Sequence, residues 1–276
     1  MPLIAITREM GSLGIEVAEQ VAAELKLPLI HHEIIEHLAD KMRLRKSHVQ
    51  RLLDGKAGIL DTLTADKTSM SIFTAAETID LAARDGGGVL RGWGAAQLLR
   101  TVPHAVCVRV CAPVELRKRR MLERLGSSDE TFIDAEVKLS DDAHAAIIQR
   151  HFGVNWRDAE LYDIVLNTER VSVGECVEKV LKLVTNPAFA ETPASQRRLG
   201  DLKLVALIKS ALREHEPTRG VQISVEANDG AIMLGGIVDG VSQGAEVERT
   251  VQGVAGVRTV ASKLRSRDDF KRKLVE

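Results

Sequence analysis

Residues Ile4 to Ala18, reading Ile-Ala-Ile-Thr-Arg-Glu-Met-Gly-Ser-Leu-Gly-Ile-Glu-Val-Ala, run an apolar strand into a glycine-bearing turn and then into a helix. Few folds accept that order of events. A wholly apolar strand followed at once by a helix is the βα unit of a parallel sheet. Leu13, Val17, Val21, Ala22 and Leu25 recur at helical spacing, so the turn opens onto a helix N-terminus. The free N–H groups and positive dipole end there suit an anion, and Gly11 and Gly14 let the backbone approach it closely. Two readings of the turn stand: a phosphate-binding loop, and an ordinary strand-to-helix turn. The strict loop G-x-x-x-x-G-K-[ST] is absent, because Ile15 stands where a lysine belongs and Glu16 where a magnesium-holding hydroxyl belongs.

The chain has 276 residues, 45% of them hydrophobic, which fits one large domain and a smaller one. With 38 basic against 39 acidic side chains there is no global pull toward nucleic acid or an anionic membrane. No apolar run approaches the roughly 18 residues needed to cross a bilayer, and Met1-Pro2-Leu3-Ile4 carries no basic leader, so a cytoplasmic protein without transmembrane segments is expected. Cys107, Cys111 and Cys176 form no Cys-x-x-Cys pair and are expected to be reduced.

Further along, His31-His32-Glu33 leads into a helix, and the adjacent histidines diverge in direction and lack a third ligand at metal spacing. Residues 43–70 are polar and weakly periodic, consistent with short helices and a loose connection. After a helix ending near Arg84-Asp85, Gly86-Gly87-Gly88-Val89-Leu90-Arg91-Gly92-Trp93-Gly94 places an arginine among glycines at a strand end. Ligands of parallel sheets bind beyond the carboxyl ends of strands, so Arg91 can meet an anion and Trp93 a base, or they pair with a carboxylate and fill core. Ala105 to Val110 is a near-continuous apolar strand, and Pro113 opens a helix on which Arg117, Arg120 and Arg124 fall on one face.

Taken together, the glycine turn, Leu-Arg-Gly-Trp-Gly, Val-Arg-Val-Cys-Ala-Pro, His151-Phe152-Gly153-Val154-Asn155-Trp156 and Tyr162-Asp163-Ile164-Val165-Leu166-Asn167-Thr168 make residues 1–185 resemble the cytidylate-kinase-like family of P-loop nucleoside monophosphate kinases. The resemblance implies an α/β fold, a P-loop parallel sheet flanked by helices, with ATP and Mg2+ as cofactors. It implies donor phosphates on Gly11, Ser12 and Gly14, with Arg8 and Glu16 beside them. The acceptor phosphate would meet Arg91, with Trp93, Asp141 and His144 also on the substrate side. Arg117, Arg120 and Arg124 would clamp the transferring group. Two departures bear on catalysis: Ile15 replaces a basic residue, and Asp141-Asp142-Ala143-His144 offers histidine where the family's lid places arginine. Phosphoryl transfer depends on neutralising charge over the transferred group, so nucleotide binding is better supported than turnover. An inactive nucleotide sensor stays open as the alternative.

Residues 186–199 contain Pro187 and Pro193 among small polar residues and read as a linker. Beyond it, Leu202, Val205, Ala206, Ile208 and Leu212 mark an amphipathic helix, and Val221 to Glu226 alternates as a half-buried strand. Asn228-Asp229-Gly230 is a hairpin turn, Ile232 to Val238 the returning strand, Val247 and Val251 a second helix, and Val257 to Val260 a last strand. That order, with Asp-Gly-Ala-Ile-Met-Leu-Gly-Gly-Ile-Val, is similar to a BON domain over residues 200–267, a smaller α+β domain. The resemblance implies a phospholipid or small-ligand module. Residues 268–276 read as a charged tail in which Asp268, Asp269 and Glu276 dilute Lys271, Arg272 and Lys273.

Overall fold

The computed structural model describes residues 2–53, 66–84, 86–92 and 94–267. They fall in two units, one within Met1–Met70 and Arg84–Thr192, the other within Ser71–Ala83 and Pro193–Glu276.

The first unit holds strands β1 (Leu3–Arg8), β2 (Leu29–Ile30), β3 (Gly88–Arg91), β4 (Ala105–Cys111) and β5 (Ile164–Asn167). They pair in the order β2-β3-β1-β4-β5, all parallel. Both faces of such a sheet are covered, which is why β1 and β4 are apolar almost throughout. Its helices are α1 (Gly14–Leu25), α2 (His32–Met42), α3 (Lys46–Leu53), then, after α4 (Lys67–Ala82), α5 (Ala95–Leu99), α6 (Val114–Leu125), α7 (Glu130–Phe152) and α8 (Val173–Val184). Helices α1 and α8 bury Val17, Val21, Cys176, Val177 and Val180 against Ile4, Ile6, Val108 and Val110 of the sheet. Each such side chain contributes about 1.5–3 kcal/mol on burial. Ser172 and Glu175 close a capping box at the start of α8, which fixes where that helix begins. The chain leaves β1 toward the β2 edge and leaves its neighbour β3 the other way, toward β4, so connections diverge at adjacent carboxyl ends, the place where open parallel sheets take ligands.

The second unit follows the order read from the sequence: α9 (Pro193–Glu214), β6 (Ile223–Asn228), β7 (Ala231–Val238), α10 (Val241–Gln252) and β8 (Thr259–Ser266). Strands β6 and β7 are antiparallel, β7 and β8 parallel, the helix α10 making the crossover. The hairpin turn has φ 46° at Asp229 and 80° at Gly230, the two successive positive values that a tight two-residue turn demands. Leu204, Ile208, Leu212, Val225, Ile232, Leu234, Val247 and Val251 form the core.

Three sequence expectations need adjusting. The linker does not reach residue 199: a short 3-10 turn occupies Pro187–Phe189 and α9 is already helical from Pro193, because proline fits the first helical turn where its missing N–H has no partner to lose. Leu199 and Ser195 are consequently buried on α9 rather than exposed in a connection. The helix expected to end near Arg84 exists as α4, but Ser71–Ala83 groups with the second unit, and Asp80 pairs there with Lys203 at 2.8 Å. No residue of α4 from Ser69 to Ala82 is exposed, so it needs cover on all sides, and nothing in its periodicity says which core supplies it. The expected loose connection, residues 43–70, is helical in α3 and in the first turn of α4, and its part at 54–65, with the tail 268–276, lies outside the described residues. Cys107, Cys111 and Cys176 are free thiols, and burial pushes Cys107 up to about 12, well away from a reactive thiolate.

Candidate nucleotide site

The chain leaves β1 at Arg8 and turns through Gly11, at φ 77°, and Leu13, at φ 60°, into α1. Gly11 is needed for space as well as angle, since a Cβ there would stand 2.6 Å from the Arg117 carbonyl oxygen on α6. Leu13 is the N-cap of α1 and offers no side-chain cap to the first N–H groups of the helix, and Gly14, Ile15 and Glu16 of that first turn line a pocket. A bulky residue in the left-handed region costs about 1–2 kcal/mol, a strain held by the packing around it. The pocket has a volume of about 630 Å³, and besides the loop its wall carries Arg8, Ile15, Glu16, Arg120, Glu123 and Arg124.

The expected site residues divide. Gly11, Gly14, Arg8, Glu16, Arg120 and Arg124 are brought together at this pocket. Arg120 is held in place, donating to the Thr168 carbonyl at 2.7 Å and hydroxyl at 2.9 Å and to the Gly11 carbonyl at 3.4 Å. Arg124 is exposed at the pocket wall. Ser12 is not in the lining: it is fully buried and its hydroxyl donates to the Val110 carbonyl at 3.1 Å, so its side chain ties the loop to β4. Arg117 also leaves the expected row. Its guanidinium is 4% exposed and bonds both oxygens of Asp141, at 3.2 and 2.8 Å, and the carbonyls of Met10 and Ala112, both at 3.2 Å. The row has helical spacing, but α6 packs its first turns on the loop and only its last turns face the pocket. Arg91 ends β3 beside Ile6 of β1, half-buried and outside the loop pocket. Trp93 lies outside the described residues.

Sequence reasoning missed the charged group behind the loop. Glu9 is buried, accepts from Arg109 at 2.8 Å and from the Ala112 N–H at 3.3 Å, and lies 3.4 Å from Arg117. Arg157 donates at 3.0 Å to the same Asp141 oxygen that Arg117 bonds at 2.8 Å. The available signal was Arg109 itself, a cation in an otherwise apolar strand, which has to find a buried carboxylate. Arg109 and Arg157 flank Trp156, with guanidinium carbons 5.3 and 5.6 Å from its ring centre.

His144 stands on α7 with its ring edge-on to Trp156 at 4.3 Å, and its Nε2 is enclosed without a hydrogen-bond partner. Burial first, and then the charge of Arg8, pull it from 6.5 down to about 4, Asp141 opposing and Arg109 adding. The unfolded chain therefore takes this proton before the folded one does. The stability conferred by the neutral ring is complete above pH 6.5 and is lost as pH falls toward 4, a difference of about 3 kcal/mol. His144→Phe should flatten the fall in unfolding free energy between pH 7 and pH 4 by that amount, read by urea denaturation across the range. Parallel profiles for the two proteins would refute this.

A family model described as "Cytidylate kinase-like family" matches residues 3–170. The chain belongs to the cytidylate kinase-like family. A BON-domain model matches residues 200–268. Among curated relatives, the cytidylate kinase of Pyrobaculum neutrophilum is 28% identical over 182 residues, covering 64% of this chain and 89% of that one. The osmotically-inducible protein Y of Escherichia coli is 28% identical over 109 residues, 38% of this chain and 54% of its own. A crystal structure of an uncharacterized protein from Eubacterium ventriosum aligns with 67% of this chain and 98% of that one at a TM-score of 0.50 and 22% identity, a likeness of fold. The kinase-like unit and the BON unit are thus both assigned, and no described helix is long and apolar enough to cross a membrane.

Proposed function

We propose that the kinase-like unit binds a nucleoside triphosphate at the loop pocket and a nucleoside monophosphate beside Arg91, and that phosphoryl transfer between them is slow. The observation that carries the reading is a 630 Å³ pocket where the uncapped start of α1 meets Arg8, Arg120 and Arg124. Backbone N–H groups and guanidiniums together are what a polyphosphate requires. Arg120, already fixed by Thr168 and Gly11, needs no reorganisation to serve, and Arg124 supplies a second, more mobile charge. On the acceptor side Arg91 would take the phosphate, Trp93 the base, and Asp141 and His144 the edge of the site.

ATP with magnesium fits this wall. Among the described residues no group of three His, Cys, Asp or Glu side chains forms a metal site, so magnesium would be held by the nucleotide's own phosphates together with Glu16. When bound it supplies charge neutralisation on the transferring group. A second reading, a nucleotide sensor without turnover that signals through the BON unit, is favoured by Ile15, an apolar side chain lining the pocket where the family's basic residue belongs. In either reading the BON unit is a docking or regulatory module for a phospholipid or small ligand, and the protein works in the cytoplasm, where ATP is.

Calorimetry with an ATP analogue and magnesium, followed by a coupled assay over a panel of nucleoside monophosphates, tests both. Binding in the micromolar to millimolar range is expected, about 4–8 kcal/mol, with turnover well below the roughly 1–100 per second of kinases. Ile15→Lys should raise affinity or rate about tenfold or more, some 1.4 kcal/mol. No heat with any nucleotide would remove the site. Fast wild-type turnover unimproved by Ile15→Lys would assign the lysine's work to Arg8 and end the sensor reading.

A further inference from the structure

Behind the loop, three guanidiniums share two carboxylates. Arg109 and Arg117 meet Glu9, and Arg117 and Arg157 meet Asp141. Three positive charges less two negative leave one cation over. It is located by exposure: the side chains of Arg109 and Arg117 are 10% and 4% exposed, that of Arg157 is 51%.

We propose that Arg157 is a ligand-binding residue whose guanidinium rests on Asp141 and turns to a phosphate oxygen when nucleotide is present. This rests on the nucleotide reading above. Asp141 does not need Arg157, since it keeps the two-pronged bond from buried Arg117. An ion pair whose cation is half in solvent is loosely held, whereas a guanidinium bonded to a phosphate oxyanion is strong, so exchange of partners favours the ligand. The backbone of Arg157 is pinned, while its side chain is half exposed. Its carbonyl accepts from Arg109 at 2.8 Å, and its N–H donates to the Asn155 side chain at 3.2 Å. Trp156 gives the guanidinium an aromatic surface alongside which it can move. His144, three residues after Asp141, is neutral, so the half-exposed charge beside Asp141 is that of Arg157.

The phosphate can belong to either nucleotide, and calorimetry on the full chain separates them with two probes, CMP and a non-hydrolysable ATP analogue with magnesium. Arg157→Gln should weaken one of them about tenfold or more while Arg157→Lys recovers part of the loss, with the ligand-free Tm of both variants within about 2 °C of wild type. A loss confined to CMP puts Arg157 on the acceptor, a loss confined to the analogue puts it on the donor, and either upholds the proposal. Unchanged affinity for both probes overturns it and leaves the nucleotide reading intact. Lost affinity accompanied by a lowered Tm that Arg157→Lys does not restore makes Arg157 a strut for Asp141 and also overturns it. Wild-type protein that binds neither probe overturns the nucleotide reading itself.

Discussion

Arg117→Met should lower the unfolding free energy of the kinase-like unit by about 3–5 kcal/mol. Methionine has nearly the length of the arginine stem and no charge, so the space stays filled while two carboxylates lose a partner. Glu9 is left with Arg109, and Asp141, only 12% exposed, with the outer and more weakly held Arg157. The carbonyls of Met10 and Ala112 also lose their donor in a buried setting. Leaving a buried charge uncompensated is what makes the loss large, since replacing a whole buried network with apolar groups is often neutral. Urea denaturation followed by tryptophan fluorescence reads the effect. A loss under about 1 kcal/mol would mean that water already reaches these carboxylates, and that Arg117 is no keystone.

Gly11→Ala should be nearly as severe, of order 2–5 kcal/mol, with nucleotide affinity lost alongside. Two penalties add. An alanine at φ 77° leaves the ordinary backbone regions, and its Cβ would stand 2.6 Å from the Arg117 carbonyl oxygen, a backbone atom that cannot turn aside. Relief would require the start of α6 to retreat from the loop, taking Arg120 away from Thr168. Both variants act where the loop meets α6, one through the backbone of residue 117 and the other through its guanidinium bonds. Each loosens the seat of α6 on the loop, so the second change has less left to disrupt and the double mutant should cost less than the sum of the singles. Full additivity would show that loop and helix are not in register as described.

Much of the fold was legible because its strands obey simple rules. The runs Leu3–Arg8 and Ala105–Cys111 are apolar on both faces apart from Thr7, Arg8 and Arg109, and Asp229-Gly230 can hardly be anything but a tight turn. The loop was legible through its two glycines and the helix after them. What periodicity could not give was direction at the level of the single side chain. Arg117, Arg120 and Arg124 are one stripe in sequence, yet the first is a buried brace and the others face the pocket. Ser12 carries the hydroxyl a phosphate loop suggests, but the turn aims it at Val110. Glu9 and Arg157 sit in sequence where a polar residue passes unnoticed, and only the fold brings them to Arg109 and Asp141. Pro193 was read as a break, though a proline one step inside a helix start does not break it.

The assignment of Ser71–Ala83 to the second unit bears on how this protein can be taken apart. The polypeptide passes from one body to the other three times, after residues 70, 83 and 192, so no single cut separates them cleanly. A gene fragment stopping at Thr192 would still encode Phe73, Ala76, Ile79 and Leu81, buried residues of a segment stripped of the body it groups with. Uncovered apolar surface of that kind promotes self-association. Conversely, a fragment beginning at Pro193 would lack one of its own helical segments and the partner of Lys203. Excision experiments on either half therefore report on a wounded body, and the whole chain is the smallest piece whose behaviour can be read without that complication.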